Sequence, residues 1–144
     1  RRSAQNGLIA FKLGGTGDVT EKNFLWRYTK ALPNVPSPLF YDNVLYMMKE
    51  GGIFTALNPV TGEVLKQARL TGALGQYFSS PVAADGKIYT IDEEGKATVI
   101  KPGGQWEILK VNNLEDASHA TPAIADNRLY IRTKGALYCF AKGD

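Results

Sequence analysis

Three stretches of this sequence share one pattern: SPLFYDNVLY at residues 37–46, SPVAADGKIY at residues 80–89 and TPAIADNRLY at residues 121–130. In each stretch a Ser or Thr precedes a proline, an Asp begins a two-residue turn, and a tyrosine ends the run. The prolines, the aspartates and the tyrosines are separated by 43 residues and then by 41 residues. Similarity at a fixed period of this length is typical of a chain that is built from structural repeats.

The residues inside each repeat favour short antiparallel strands. The turn pairs are Asp-Asn, Asp-Gly and Asp-Asn, which suit a tight hairpin because both positions need a positive φ. The flanking residues are mostly β-branched, aromatic or otherwise apolar, and the proline is the first residue of a strand, where a missing amide costs little. In the first repeat the strands are predicted at residues 38–41, 44–48, 53–57 and 63–69.

The period and the strand count together predict an all-β chain. A repeat of about 42 residues with four strands is that of a β-propeller blade. We predict a single partial propeller of about three four-stranded antiparallel blades, the C-terminal part of a 7- or 8-bladed parent. Its predicted units are residues 7–32 (two strands of a partial blade), 37–70 and 80–114 (complete blades) and 120–144 (a three-stranded last blade).

The run ALNPVTGEVL at residues 56–65 resembles the PQQ-like (quinoprotein-type) β-propeller repeat family. The order of GGTGDVT at residues 14–20 and PNVPSP at residues 33–38 is similar to the C-terminal part of bacterial propeller proteins of this class. The resemblance implies that the parent is exported or periplasmic.

The same resemblance implies a tryptophan on the fourth strand of each blade, which docks against the neighbouring blade. Trp26 takes that place in the partial blade. Lys66 stands there in the first complete blade, and Ile108 or Leu109 in the second, where Trp106 is predicted to lie out of register.

Composition excludes several classes of protein. The net charge is +3 and the basic residues are interspersed with acidic ones, so a nucleic-acid partner is not expected. No stretch approaches the ~20 apolar residues that a transmembrane helix needs. Cys139 is the single cysteine, so no intramolecular disulfide can form, and its alternation with apolar residues predicts that it is buried.

No catalytic residue, metal ligand or cofactor is predicted. Asp92-Glu93-Glu94 is the one acidic run, and we interpret it as an exposed turn because no second oxygen-rich segment accompanies it. His119 is an ordinary loop histidine without a partner in the sequence. The glycines at residues 14–17 lack the Lys-Ser/Thr of a phosphate loop and are interpreted as a connection between strands.

A binding site is predicted from topology. In a four-stranded blade the connections from the fourth strand to the next blade, and from the second strand to the third, lie on one face. That face gathers Asn34, Gln76, Tyr77, Phe78, Ser118 and His119 near the central channel, with Lys49, Glu50, Glu93 and Lys134 further out. Tyr77 and Phe78 are the preferred partner-binding residues, since exposed aromatics are enriched at hot spots. The alternative is that both pack into the next blade.

These observations leave three functional hypotheses. The first is a non-enzymatic scaffold that binds protein or another ligand through its loop face, similar to the propeller lipoprotein of the outer-membrane assembly machinery. The alternative implied by the resemblance is a dehydrogenase that uses PQQ and Ca²⁺, with its catalytic residues in an N-terminal part outside this sequence. The third is a sensor domain of a signalling protein. The expected partner of the chain itself is the remainder of the propeller or a second copy.

Overall fold

The computed structural model describes residues 6–141, and within that range the chain contains thirteen β-strands and no helix. The strands are β1 Leu8–Phe11, β2 Phe24–Tyr28, β3 Leu39–Tyr41, β4 Val44–Lys49, β5 Ile53–Leu57, β6 Val64–Arg69, β7 Val82–Ala84, β8 Lys87–Ile91, β9 Lys96–Lys101, β10 Glu107–Asn113, β11 Ala123–Ala125, β12 Arg128–Arg132 and β13 Leu137–Ala141.

The strands form four antiparallel sheets in chain order. We call them the partial blade (β1–β2), the first blade (β3–β6), the second blade (β7–β10) and the third blade (β11–β13). The described sheets therefore have two, four, four and three strands, and the predicted all-β propeller fragment is confirmed.

The hairpins between the first two strands of each blade have the predicted backbone. Residues 42 and 43 have φ values of 50° and 56°, and residues 126 and 127 have φ values of 48° and 57°. Residues 85 and 86 are equally left-handed, at 50° and 65°. Two consecutive positive φ values twist the turn in the sense that the flanking strands require, which explains the Asp-Asn and Asp-Gly pairs.

The blades pack face to face through strand alternation. Tyr46 and Met48 on β4 point toward the second blade, whereas Met47, between them, packs against Trp26 of the partial blade. Successive side chains of a strand point to opposite faces, so one strand supplies both interfaces. The cluster between the first and second blades is completed by the buried residues Val44, Phe54, Ala56, Leu70, Ala73, Tyr77, Ile88, Ile100 and Trp106.

The residue before each repeat proline joins one blade to the next. The Ser37 amide donates to Ser80 Oγ at 2.9 Å, and the Ser80 amide donates to Thr121 Oγ1 at 2.9 Å. These bonds bring the starts of the innermost strands β3, β7 and β11 side by side. The Ser or Thr of the repeat motif is thus an inter-blade link at the propeller axis.

The docking position on the fourth strand is occupied by a different residue in each of two blades, and both residues contact the blade that follows. Trp26 Nε1 donates to the Pro59 carbonyl at 3.0 Å and its ring lies against Gly62, where an added Cβ would sit 2.7 Å from the indole. Lys66, at the same position one blade later, donates from Nζ to the Trp106 carbonyl at 2.6 Å. Its Nζ lies 4.4 Å from the centre of the Trp106 ring, which is a cation–π distance.

Trp106 lies outside the fourth-strand register, as predicted, because it precedes β10. The docking position of the second blade is Lys110, which pairs with Val99 as Lys66 pairs with Ala56, and not Ile108 or Leu109 as predicted. Trp106 is nevertheless buried and packs edge-on against Phe54 with 5.2 Å between the ring centres. The reason is that it enters the interface from the turn before β10, so it reaches the first blade from the second blade. Trp26 instead docks from its own fourth strand onto the blade that follows.

Cys139 corrects another prediction, because it is exposed and not buried. It pairs with Tyr130 of β12, as Ala56 pairs with Tyr46 in the first blade. Ala56 is covered by the second blade, but no sheet of the described residues covers the corresponding face of the third blade. Alternation along the strand sets which face Cys139 occupies, but burial also needs a sheet packed on that face, and none among residues 6–141 lies there.

Thr55 and Thr98 occupy the same repeat position and allow a matched test of buried hydroxyls. Thr55 Oγ1 accepts from Gln67 Nε2 at 2.9 Å, whereas buried Thr98 Oγ1 has no hydrogen-bond partner among the described residues. We expect Thr98→Val to raise the free energy of unfolding by about 1 kcal/mol, because it removes an unsatisfied polar group of the same shape. Thr55→Val should lower that free energy by about 1 kcal/mol, since it removes one of the two acceptors of the Gln67 amide and leaves only Tyr28 Oη. Urea denaturation measures both, and changes of the same sign would contradict the account.

Candidate functional site: the loop face

The loops between blades are hydrogen-bonded to the turns inside blades, on one side of the propeller. The Gly51 amide donates to the Gly75 carbonyl at 2.9 Å, and the Glu93 amide donates to the Gln76 carbonyl at 2.8 Å. The same pattern continues between Lys134 and Ala117, whose amide and carbonyl are 2.7 Å apart. We call this side of the described residues the loop face. Its backbone is held by the fold, so little ordering is required when something binds to it.

One turn of the loop face approaches its neighbouring loop very closely. The Leu114 amide donates to the Gly95 carbonyl at 3.0 Å, and the Ser118 amide donates to the Glu93 carbonyl at 3.1 Å. A Cβ placed on Gly95 would lie 2.2 Å from the Asp116 carbonyl oxygen. Only glycine allows the turn of the second blade to reach the loop that leads to the third.

Asp92 corrects the prediction that Asp92-Glu93-Glu94 is simply an exposed turn, because its side chain is fully buried. Its Oδ1 accepts the amides of Glu94 at 3.1 Å and Lys96 at 2.9 Å, and its Oδ2 accepts the Gly75 amide at 3.3 Å. The carboxylate therefore shapes the turn and ties it to the preceding loop. Buried turns need such an internal acceptor because water cannot satisfy their amides.

Burial raises the pKa of Asp92, although the amides of Lys96 and Gly75 partly oppose the change. A carboxyl with a raised pKa binds its proton more tightly in the folded state, so stability falls as pH rises from the ordinary value through the raised one. We expect the free energy of unfolding of the native chain to decline over that range relative to Asp92→Asn, which cannot ionise. Denaturation at a series of pH values above 3.8 measures the difference. A difference that grows in favour of the native chain would contradict it.

Four of the six predicted binding residues reach the surface of the loop face. Asn34 is exposed and its Nδ2 donates to Glu50 Oε2 at 3.3 Å, and Gln76 is also exposed. Half-buried Phe78 and exposed His119 are brought together, with their ring centres 4.9 Å apart and the planes tilted by 43°. The two rings come from different inter-blade loops, so their contact spans the boundary between the second and third blades.

The other two predicted residues have internal roles. Tyr77 is 4% exposed and its hydroxyl donates to the Ala73 carbonyl at 2.7 Å. Its burial raises the pKa of the phenol, and the nearby Asp92 carboxylate adds to this. Ser118 is buried and its Oγ donates to the Arg132 carbonyl at 2.9 Å. Tyr77 therefore packs inside the protein, which was the alternative prediction, whereas Phe78 remains partly exposed on the loop face.

Val35 belongs with Phe78 and His119, although it was not among the residues predicted from the sequence to bind a partner. All three stand three residues before the repeat proline, and Val35 is 59% exposed. The inter-blade bonds of the following Ser and Thr residues place these positions beside one another near the axis. We call Val35, Phe78 and His119 the rim. Val35 could have been predicted from its spacing to the repeat proline, because this spacing is the same in all three repeats although the residue type differs.

The buried carboxylate of the one acidic run is occupied by internal hydrogen bonds. Both oxygens of Asp92, the buried member of the one acidic run, already accept backbone amides. Among residues 6–141 no three His, Cys, Asp or Glu side chains converge as metal ligands would. The PQQ and Ca²⁺ alternative stays a hypothesis about residues outside this chain.

Residues 6–141 contain no helix that is long and apolar enough to cross a membrane.

The sequence of residues 2–144 matches the family described as outer membrane protein assembly factor BamB. In sequence, no curated protein matches the chain.

Three solved structures illustrate the similarity of fold. BamB from Moraxella catarrhalis superposes with a TM-score of 0.70 at 19% identity, over 92% of this chain and 36% of that one. The computationally designed Ika4 protein gives 0.67 at 16% identity, over 98% and 88%. The quinohemoprotein alcohol dehydrogenase ADHIIG from Pseudomonas putida HK5 gives 0.61 at 12% identity, over 74% and 19%. The chain thus spans about a third of the BamB structure and a fifth of the dehydrogenase.

Proposed function

Because this chain belongs to the family of the outer membrane protein assembly factor BamB, we propose that it is part of a non-enzymatic β-propeller that binds protein through its loop face. The observation that carries the proposal is the rim, formed by repeat-equivalent side chains at the inner edge of that face. Two of its three members, Val35 and His119, are exposed, and Phe78 is half-buried against His119.

The chemistry of the rim favours a protein partner. An apolar side chain, an aromatic ring and an imidazole stand next to exposed amides at Asn34 and Gln76. Apolar anchors surrounded by polar groups are typical of protein interfaces. The hydrogen-bonded loops hold these groups in place before binding, which lowers the entropic cost.

The proposal extends to location and size. The family is named for outer-membrane protein assembly, which supports an exported, periplasmic parent. The chain covers 36% of the BamB structure, and this supports a role as one section of a larger ring. The remainder of that ring, or a second copy, is the proposed partner for the flanks of this section.

The test is site-specific photo-crosslinking in bacteria that express the chain within its propeller. A photoreactive residue at Val35 or His119 is expected to crosslink a component of outer-membrane protein assembly. Replacing Phe78 and His119 by Ala should weaken binding of that component about 10-fold or more, as expected for hot-spot residues.

The matched control is Val60, which is 76% exposed in a turn on the opposite side of the blade. The same photoreactive residue there should give no such product. Equal crosslinking from Val60, or no assembly component crosslinked from the rim, would refute the proposal.

A further inference from the structure

A groove of about 700 Å³ opens between the second and third blades, beside the hairpins that join the first two strands of each blade. One wall is the face of the second blade that carries Ala84, Lys87 and Tyr89. The other wall is a face of the third blade with three apolar residues: Ile124, Leu129 and Phe140. A groove of this volume lies in the size range of sites that hold small molecules.

The matching interface between the first and second blades is closed by Tyr41. Tyr41 and Val44 pair across β3 and β4, and both belong to the apolar contacts between these two blades. The Tyr41 hydroxyl accepts the Gly86 amide at 3.1 Å, so the ring reaches the hairpin of the second blade. The second-blade residues on the opposite wall, Ile88 and Ile100, are fully buried.

The second blade has different residues at the two positions that close this interface. Ala84 stands 43 residues after Tyr41, and Lys87 stands 43 residues after Val44. A methyl group therefore replaces the phenol ring, and an ammonium replaces an apolar side chain. Both walls come from strands that the structure describes, so this difference follows from the side chains at these positions.

The apolar wall of the groove is exposed to solvent. Phe140 pairs with Leu129 as Ile100 pairs with Ile88 in the second blade. Phe140 is 43% exposed and Ile124 is 37% exposed, although Ile100 is fully buried. An exposed apolar wall inside a groove favours a ligand with an apolar or aromatic body.

Two polar groups lie beside this wall. Asn127 lines the groove, and its amide stands at the repeat position of the Gly86 amide that Tyr41 accepts in the first interface. Lys87 also lines the groove, and its Nζ donates to the Asp85 carbonyl at 3.1 Å and lies 3.5 Å from Asp85 Oδ2. The Asp85 side chain is 86% exposed and this ion pair is long, so it is weak, and the ammonium keeps a donor for a second anion.

We propose that this groove binds a small aromatic acid. Its ring lies over Ala84 and against the apolar wall, in the place that the Tyr41 ring has one blade earlier. Its carboxylate pairs with Lys87, and an oxygen at the other end of the ring accepts the Asn127 amide. Ala84 and Lys87 are direct cross-strand partners, with Cβ atoms about 4.5–5.5 Å apart in such pairs, so they contact one ligand together. The groove lies on the side of the propeller opposite the loop face, so the inference does not depend on the proposed function.

The test titrates the full chain with 4-hydroxybenzoate and follows the backbone amide signals by nuclear magnetic resonance. Saturable shifts of the Lys87 and Asn127 amides are expected, with a Kd of about 1 mM or below, as for a small ligand. The neutral analogue 4-hydroxybenzyl alcohol should bind about 5-fold more weakly or worse, because it lacks the charge that pairs with Lys87. Lys87→Met should remove this difference by weakening only the acid. No saturable binding, or equal binding of the acid and the alcohol to the native chain, would overturn the proposal.

Ala84→Tyr gives the second blade the residue that the first blade has at this position. It should weaken binding of 4-hydroxybenzoate about 10-fold or more, because the new ring occupies the place of the ligand. Ala125→Tyr is the matched control. Ala125 stands at the same repeat position in the third blade, and strand alternation directs it away from the face that carries Ile124, so binding should not change.

Binding that survives Ala84→Tyr in a folded chain would refute the proposal. If Ala84→Tyr does not fold, the comparison of Lys87→Met with the native chain decides alone. If a tyrosine-containing peptide binds in the groove and the small acid does not, the occupant is a polypeptide and the proposal is wrong. Substitutions in the rim should leave the titration unchanged, so failure here is distinct from failure of the loop-face proposal.

Discussion

Gly95→Ala is expected to lower the free energy of unfolding by about 3–5 kcal/mol, or to prevent folding of the chain altogether. Gly95 has a φ of 84°, which an alanine adopts only with strain of about 1–2 kcal/mol. Its added Cβ would also meet the Asp116 carbonyl oxygen at 2.2 Å, and a backbone atom cannot rotate away. Relief requires the loop and the turn to separate, which breaks the bond between Leu114 and Gly95. Denaturant unfolding, monitored by circular dichroism, measures the loss.

Gly86→Ala is the matched control for that substitution. Gly86 is also left-handed, with a φ of 65°, but nothing lies within 4 Å of the Cβ it would gain. Gly86→Ala should lower the free energy of unfolding only by the backbone strain of about 1–2 kcal/mol. Equal losses at the two glycines would show that the close approach of loop and turn contributes nothing to stability.

Trp106→Ala is expected to cost about 3–5 kcal/mol, the range for removing a large buried aromatic side chain. The indole is 2% exposed, packs on Phe54 and lies beneath the Lys66 ammonium. Its loss opens a cavity between two blades that would each keep their own strand pairing. We therefore expect a lower unfolding midpoint with little change in the β-sheet signal at the start of the transition.

Leu109→Ala, on the strand β10 that follows Trp106, is the control for that result. Leu109 is 49% exposed, so its truncation should cost well under 1 kcal/mol. A loss at Leu109 that equals the loss at Trp106 would mean that β10 is held by its edge pairing and not by the inter-blade aromatic contact.

The repeat pattern predicted which face of the propeller the site residues occupy, but not which of them are buried. Topology placed Asn34, Gln76, Phe78 and His119 on one face, and the structure puts the last two in contact. The same topology could not separate Phe78 from Tyr77. Neighbours on an irregular loop have no period that assigns one to the core, so their burial depends on the blade that packs beside them.

Asp92 shows the same limit for polar residues. Its position in an acidic run predicted that the side chain is exposed to solvent, because carboxylates are seldom buried without a partner. The partners are backbone amides of its own turn and of the loop at Gly75. Almost every residue has a backbone amide, so the sequence does not show which ones serve as partners. Trp106 likewise reaches its neighbour from a turn, where no strand register applies.

The sequence by itself determined the strands, the hairpins and the number of blades. Turn pairs such as Asp42-Asn43 favour one local backbone conformation, and the regular spacing of the prolines and tyrosines shows that this conformation recurs along the chain. Both features can be predicted without knowing which distant residues are in contact. Only the tertiary structure decided which side chains are buried between blades. Phe54 is covered while Cys139 is exposed, because burial depends on whether another sheet packs against that face.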